Sequence, residues 1–110
     1  MERIVEQNLL YDFYGELLTE HQRLIYEKAV YEDLSLKELS EEYGITRQGI
    51  HDLIRRCDRI LSEYESKLHM VERFEKIREL VKGIDAAAGE ARENGADEIR
   101  GLCAQIMENL

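Results

Sequence analysis

Seven side chains able to exchange hydrogen bonds or charge with a nucleic acid fall close together: Thr46, Arg47, Gln48, His51, Asp52, Arg55 and Arg59. Their steps of three and four place them along one side of a helix. A guanidinium can bond a guanine edge through two donors or hold a phosphate, so Arg47 and Arg55 suit either task. The Gln48 amide matches the donor–acceptor pair of adenine, and the Asp52 carboxylate can accept from cytosine. Thr46 stands where the unpaired N–H groups of a helix start attract phosphate. Arg56 lies toward the flank and suits a phosphate contact alone. The same pattern also fits a motif used only for packing or protein contact, with its arginines simply solvated.

Other chemistry has few residues to stand on. Cys57 and Cys103 are isolated, with no Cys-x-x-Cys or Cys/His cluster, which excludes the usual zinc and redox motifs; both read as buried, reduced thiols. His21, His51 and His69 lack metal-ligand spacing and read as exposed or half-exposed. The acidic clusters Glu41–Glu42 and Glu63–Glu65 read as solvated helix faces. No phosphate loop, nucleophile elbow or triad pattern occurs, so neither an enzyme nor a cofactor is expected.

The elements that would position these residues are all helical. The 110 residues contain no proline, and 35% are charged. One helix is expected from Glu2 to Tyr14, ended by Gly15, with Ile4, Val5, Leu9, Leu10, Phe13 and Tyr14 at helical spacing. Thr19 and Gln22 form a capping-box pattern opening a second helix to about Tyr31, with Leu24, Ile25 and Ala29 inward and Tyr26 or Tyr31 as a further inward position. Ser35 and Glu38 repeat the pattern for a short helix, Leu36 to Tyr43, with Leu36 and Leu39 inward. Gly44 stops it, Ile45 plugs the turn and Thr46 caps the next helix. Residues 36–55 thus form a helix-turn-helix. Ser40 supplies the small residue where the helices cross, and Leu39, Ile45, Ile50 and Leu53 supply the apolar contacts.

From Arg47 the apolar spacing runs without a breaker to about Lys82, predicting one long helix that serves both recognition and dimerisation. The second half of that helix, with Tyr64, Leu68, Val71, Phe74, Ile77 and Val81 as its stripe, either folds back on the C-terminal segment or packs against a second chain; a homodimer through this stripe is expected. Gly83 is the expected break. Ala86–Asn94 is weakly patterned, and a last helix is expected from about Asp97. Residues 1–60, 61–82 and 83–110 are the expected divisions.

Net charge is −9, but residues 35–60 carry five basic and five acidic side chains while both flanks are acidic. A uniformly nucleic-acid-binding surface is therefore excluded, and the neutral third is the one with the helix-turn-helix. No apolar run reaches the length of a bilayer span, and Glu2 and Glu6 interrupt any signal-like start. A cytoplasmic protein with no membrane partner is expected.

Thr19 to Ile25 followed by Leu34 to Ile50 resembles region 4 of bacterial sigma factors, whose helix-turn-helix reads promoter DNA. On that resemblance Thr46, Arg47, Gln48, His51, Asp52 and Arg55 sit where promoter-reading side chains lie. Asp52 and Asp58 place negative charge on the same helix. Adding Asn8 to Gln22 and the tail from Glu63 to Leu68, residues 1–82 resemble the YlxM family of small bacterial proteins encoded beside signal recognition particle genes. That resemblance implies DNA binding and a regulatory part in the signal recognition particle pathway. It also leaves open an accessory protein that binds the particle's GTPase or RNA without reading DNA.

Overall fold

The computed structural model describes residues 3–89 and 95–110, and among them every regular element is helical. Six α-helices follow in order: α1 Arg3–Tyr14, α2 Glu20–Val30, α3 Leu36–Tyr43, α4 Arg47–Leu68, α5 Met70–Gly89 and α6 Gly95–Glu108. A 3-10 turn, Gly15–Leu17, links α1 to α2. The chain divides into two compact units, residues 1–68 and 69–110.

In the first unit the caps set the helix starts. Thr19 and Gln22 close one capping box, and Ser35 and Glu38 close a second, each satisfying two backbone N–H groups that a helix start leaves unpaired. Ile25 of α2, Leu39 of α3 and Ile50 of α4 are fully buried together, ringed by Ala29, Leu34, Tyr43, Ile45, Leu53 and Ile54. Lower down α4, Cys57 and Leu61 are also fully buried, and Leu10 and Tyr14 are buried on α1. Leu24 and Leu36, expected inward, are exposed instead. On α2 the buried positions are Ile25 and Tyr26, and Leu36 stands at the first position of α3, one turn before the buried Leu39.

Polar bonds of long sequence separation tie α1 and α2 to α4. The Tyr14 hydroxyl donates to Glu65 Oε1 at 2.5 Å, the Tyr26 hydroxyl to Asp58 Oδ1 at 2.7 Å, and Gln7 Nε2 to both Asp58 oxygens at 3.2 Å. Tyr11 donates to Glu27 and stacks on Tyr26 with ring centroids 5.4 Å apart. Glu65 therefore belongs to an interhelical bond and not to a purely solvated face.

The expected continuous helix from Arg47 to Lys82 is not present. α4 ends at Leu68, and His69 takes the left-handed φ of 55°. A left-handed residue breaks the i to i−4 ladder whatever its side chain. The His69 carbonyl then accepts from Arg73 N–H at 3.0 Å, starting a new helix, and its Nδ1 lies 3.0 Å from Glu72 Oε2. The apolar spacing continues across the break, which is why periodicity conceals it.

The second unit is an antiparallel hairpin of α5 and α6. Gly83, the expected break, lies inside α5, and a Cβ placed there would come within 3.2 Å of Leu102 on α6. This glycine permits close helix packing and does not end a helix. Ala86 to Gly89 continue α5, residues 90–94 of the weakly patterned stretch lie outside the described residues, and α6 begins at Gly95. Cys103, expected buried, is exposed on α6.

Candidate nucleic-acid interface

The turn between α3 and α4 fixes where the candidate face begins. Gly44 adopts φ 66°, and its N–H donates to the Ser40 carbonyl at 3.0 Å. The Ser40 hydroxyl donates onward to the Ile45 carbonyl, so the small crossing residue also locks the turn. Thr46 Oγ1 accepts from Gly49 N–H at 3.0 Å, and the Thr46 carbonyl accepts from Ile50 N–H at 3.0 Å. Thr46 is thus a helix cap, as its type and position imply.

Sequence reasoning did not single out Gly49. A Cβ at this position would stand 2.7 Å from Ile45 Cγ2, closer than a real side chain tolerates. The plug residue of the turn can seat only because the first turn of α4 carries no side chain there. Glycine inside the start of a recognition helix, where a better helix former would otherwise be favoured, is the signal that was available.

All seven proposed contact residues are exposed: Thr46, Arg47, Gln48, His51, Asp52, Arg55 and Arg59, with Arg56 exposed beside them. The opposite side of α4 carries the buried Ile50, Cys57 and Leu61. Gln48 Nε2 donates to Asp52 Oδ1 at 2.9 Å, and His51 Nδ1 lies 3.9 Å from the same oxygen. Asp52 is therefore bonded within the face. Asp58 turns inward to Tyr26 and Gln7 and is not part of the exposed face, although its sequence position placed it on the same helix. A groove between the start of α2 and α4 is lined by Thr19, His21, Gln22, Gly49, Asp52, Leu53 and Arg56. Arg56 thereby sits next to the N-terminus of α2, on the flank of the reading face.

Burial governs the shifted groups beneath this face. Burial, and then the hydrogen bond to Asp58, push the Tyr26 phenol well above its ordinary range. Burial, and then neighbouring Asp58, push the Cys57 thiol up to about 11. On α2, Lys28 is paired with Glu42 of α3 and lies 5.0 Å from the Tyr43 ring centroid; the hydrogen bond to Glu42 raises its pKa. That pair cancels one of the two adjacent acidic charges of α3.

Residues 1–99 match the family described as "Putative helix-turn-helix protein, YlxM / p13 like". The chain belongs to this family, UPF0122. A UPF0122 protein of Desulforamulus reducens is 40% identical, covering 98% of this chain and 96% of its own length. One of Shouchella clausii is 43% identical over 100% of this chain and 95% of its own, and one of Clostridium kluyveri is 43% identical over the whole of both. The UPF0122 match extends past residue 82, where the resemblance read from the sequence stopped.

The dimer stripe expected on one helix is divided by the break at His69. Tyr64 and Leu68 belong to α4, and Val71, Phe74, Ile77 and Val81 to α5. Tyr64 is engaged within the first unit, its ring centroid 6.1 Å from that of Tyr14, while Val71 is buried. Among the described residues no group of three or more His, Cys, Asp or Glu side chains is placed to hold a metal ion, and no helix is long and apolar enough to cross a membrane.

Proposed function

We propose that this UPF0122 protein is a DNA-binding regulatory protein whose α4 enters the major groove with its N-terminal turns leading. The observation that carries the reading is the division of α4. Every apolar residue of its first three turns is buried or half-buried, and Thr46, Arg47, Gln48, His51, Asp52 and Arg55 all face solvent. With Arg59 and Arg56 the face has four guanidinium groups against one exposed carboxylate, Asp52, in a chain of net charge −9. That local reversal of sign is what phosphate contact requires. Arg47 and Arg55 suit base edges, and Arg56 beside the start of α2 suits the phosphate backbone.

Selection from random duplex DNA at low salt tests this. The expected result is an enriched sequence whose binding is lost on combined Arg47→Ala and Arg55→Ala, with a log–log salt slope of about −2 to −4 for a few neutralised phosphates. Recovery of no enriched sequence, together with binding indifferent to the double substitution, would overturn it.

The net charge favours a second reading. An acidic surface suits a basic protein partner better than bare DNA. The partner would then be a component of the signal recognition particle, its GTPase or its RNA. Pull-down with the purified components and GTPase rates with and without this protein separate the two readings. Absence of binding with unchanged rates would eliminate the second.

A further inference from the structure

Asp52 is an exposed carboxylate among Arg47, Arg55, Arg56 and Arg59 on the outer side of α4. A negative charge there opposes phosphate and lowers affinity for any nucleic acid. Two uses would offset that loss: neutralising a neighbouring arginine, or holding a base-reading side chain. The distances select the second. Among the described residues no arginine lies within ion-pair reach of Asp52, although Arg55 and Arg56 stand one turn further along the helix. Asp52 Oδ1 instead accepts from Gln48 Nε2 at 2.9 Å, one turn back. His51 Nδ1 is 3.9 Å from the same oxygen, too far for a hydrogen bond.

The bond settles which way the Gln48 amide points. Its two ends are nearly equal in shape but opposite in chemistry, an oxygen that accepts and an NH2 that donates twice. An ionised carboxylate only accepts, so the NH2 end turns toward Asp52. One N–H is then used, and the second N–H and the Oε1 remain, a donor beside an acceptor. Adenine presents the complement of that pair in the major groove, N7 accepting and the N6 amino group donating. An amide free to swing can offer both of its N–H groups, which suits the two acceptors of guanine as well. In water an i, i+4 pair of this kind is weak, but surroundings that exclude water strengthen it.

We propose that Asp52 is a positioning residue that makes Gln48 select adenine, while lowering affinity for duplex DNA in general. The role rests on α4 being the recognition helix, and it names the pair of side chains that sets one base. Asp52 acts through Gln48 and not by accepting from cytosine.

Selection from a random duplex DNA library tests this, run side by side with the full chain and with Gln48→Ala, Asp52→Ala, Asp52→Glu and the double alanine variant. Both positions are exposed and alanine favours helix there, and circular dichroism confirms that helix content is kept. The unaltered protein is expected to prefer adenine at one position by about tenfold, the discrimination of one bidentate contact. Gln48→Ala and Asp52→Ala each flatten that position to within about twofold, leave the positions set by Arg47 and Arg55 unchanged, and together do no more than either alone. Asp52→Glu keeps the acceptor and retains the preference. Asp52→Ala also tightens binding to duplexes of unrelated sequence, because a charge that repels phosphate is gone. An adenine preference unmoved by Asp52→Ala, or two substitutions that flatten different positions, would overturn the role of Asp52 and leave α4 as the reading helix. A protein that enriches no sequence overturns both.

Discussion

The two units of this protein spend their apolar residues differently. In the first, one residue from each of α2, α3 and α4 meets at a fully buried point, and tyrosines bonded to carboxylates seal α1 and α2 against α4. In the second, two helices share a contact at Gly83 and Leu102 and leave a stripe in water. Three helices can enclose a point, whereas two can only share a line. The first unit thus encloses its core beneath an exposed face, and the second leaves part of its apolar surface exposed.

The largest effect that would test this contrast is a pair of truncations. Ile50→Ala removes a fully buried side chain and is expected to cost about 3 kcal/mol of stability. Val81→Ala, half exposed, is expected to cost under about 1 kcal/mol in the monomer. Urea denaturation of both measures the difference, and equal losses would mean that the hairpin is as well cored as the helix-turn-helix.

Next in size is the polar seal. Tyr26→Phe removes the donor to Asp58 and leaves that carboxylate with Gln7 alone, for an expected loss of about 2 kcal/mol. The same substitution on a merely solvated tyrosine would change nothing. A neutral result would therefore show that the bond does not hold α2 to α4.

Two glycines in helices should respond with opposite signs. Gly49→Ala forces a methyl against Ile45 and is expected to destabilise by about 1–3 kcal/mol despite the better helix propensity of alanine. Gly101→Ala meets nothing within 4 Å and is expected to stabilise by about 1 kcal/mol. Melting temperatures of the two variants decide it. A stabilising Gly49→Ala would show that Ile45 can move aside.

The smallest effect is invisible at neutral pH. The Cys57 thiol is held up to about 11 from an ordinary 9.0. A raised acid keeps its proton more tightly in the folded state, so its contribution is complete below pH 9 and declines as pH rises through 11. Melting temperature should fall across that window, less so in Cys57→Ala. At pH 7 a maleimide should label exposed Cys103 quickly and buried Cys57 only on unfolding. Equal labelling of both would contradict the burial of α4.

Much of the first unit was legible in its residues, because its signals are local. Thr19 with Gln22, Ser35 with Glu38, Gly44 and Thr46 each act within four residues of their own backbone, and each terminates or starts a helix where it stands. The second unit was misread for a physical reason. Gly83 has the type of a helix stop, but its meaning depends on Leu102, which the local sequence does not contain. His69 has neither the type of a breaker nor a gap in apolar spacing, yet it adopts φ 55°. The exposure of Cys103 likewise follows from which side of α6 meets α5, a matter of pairing.

The sequence by itself determined an all-helical chain, the bounds of α3, the turn at Gly44 and the set of α4 side chains that face water. These follow from capping chemistry, the left-handed tolerance of glycine and the 3.6-residue period, all local to a few turns. Tertiary structure alone decided that Asp58 points inward, that Glu65 is tied to Tyr14, and that the long apolar pattern is cut at Leu68–His69. The bonds that settle the two carboxylates join residues 32 and 51 positions apart. Whether a charged side chain belongs to the reading face or to the scaffold beneath it depends on such distant partners.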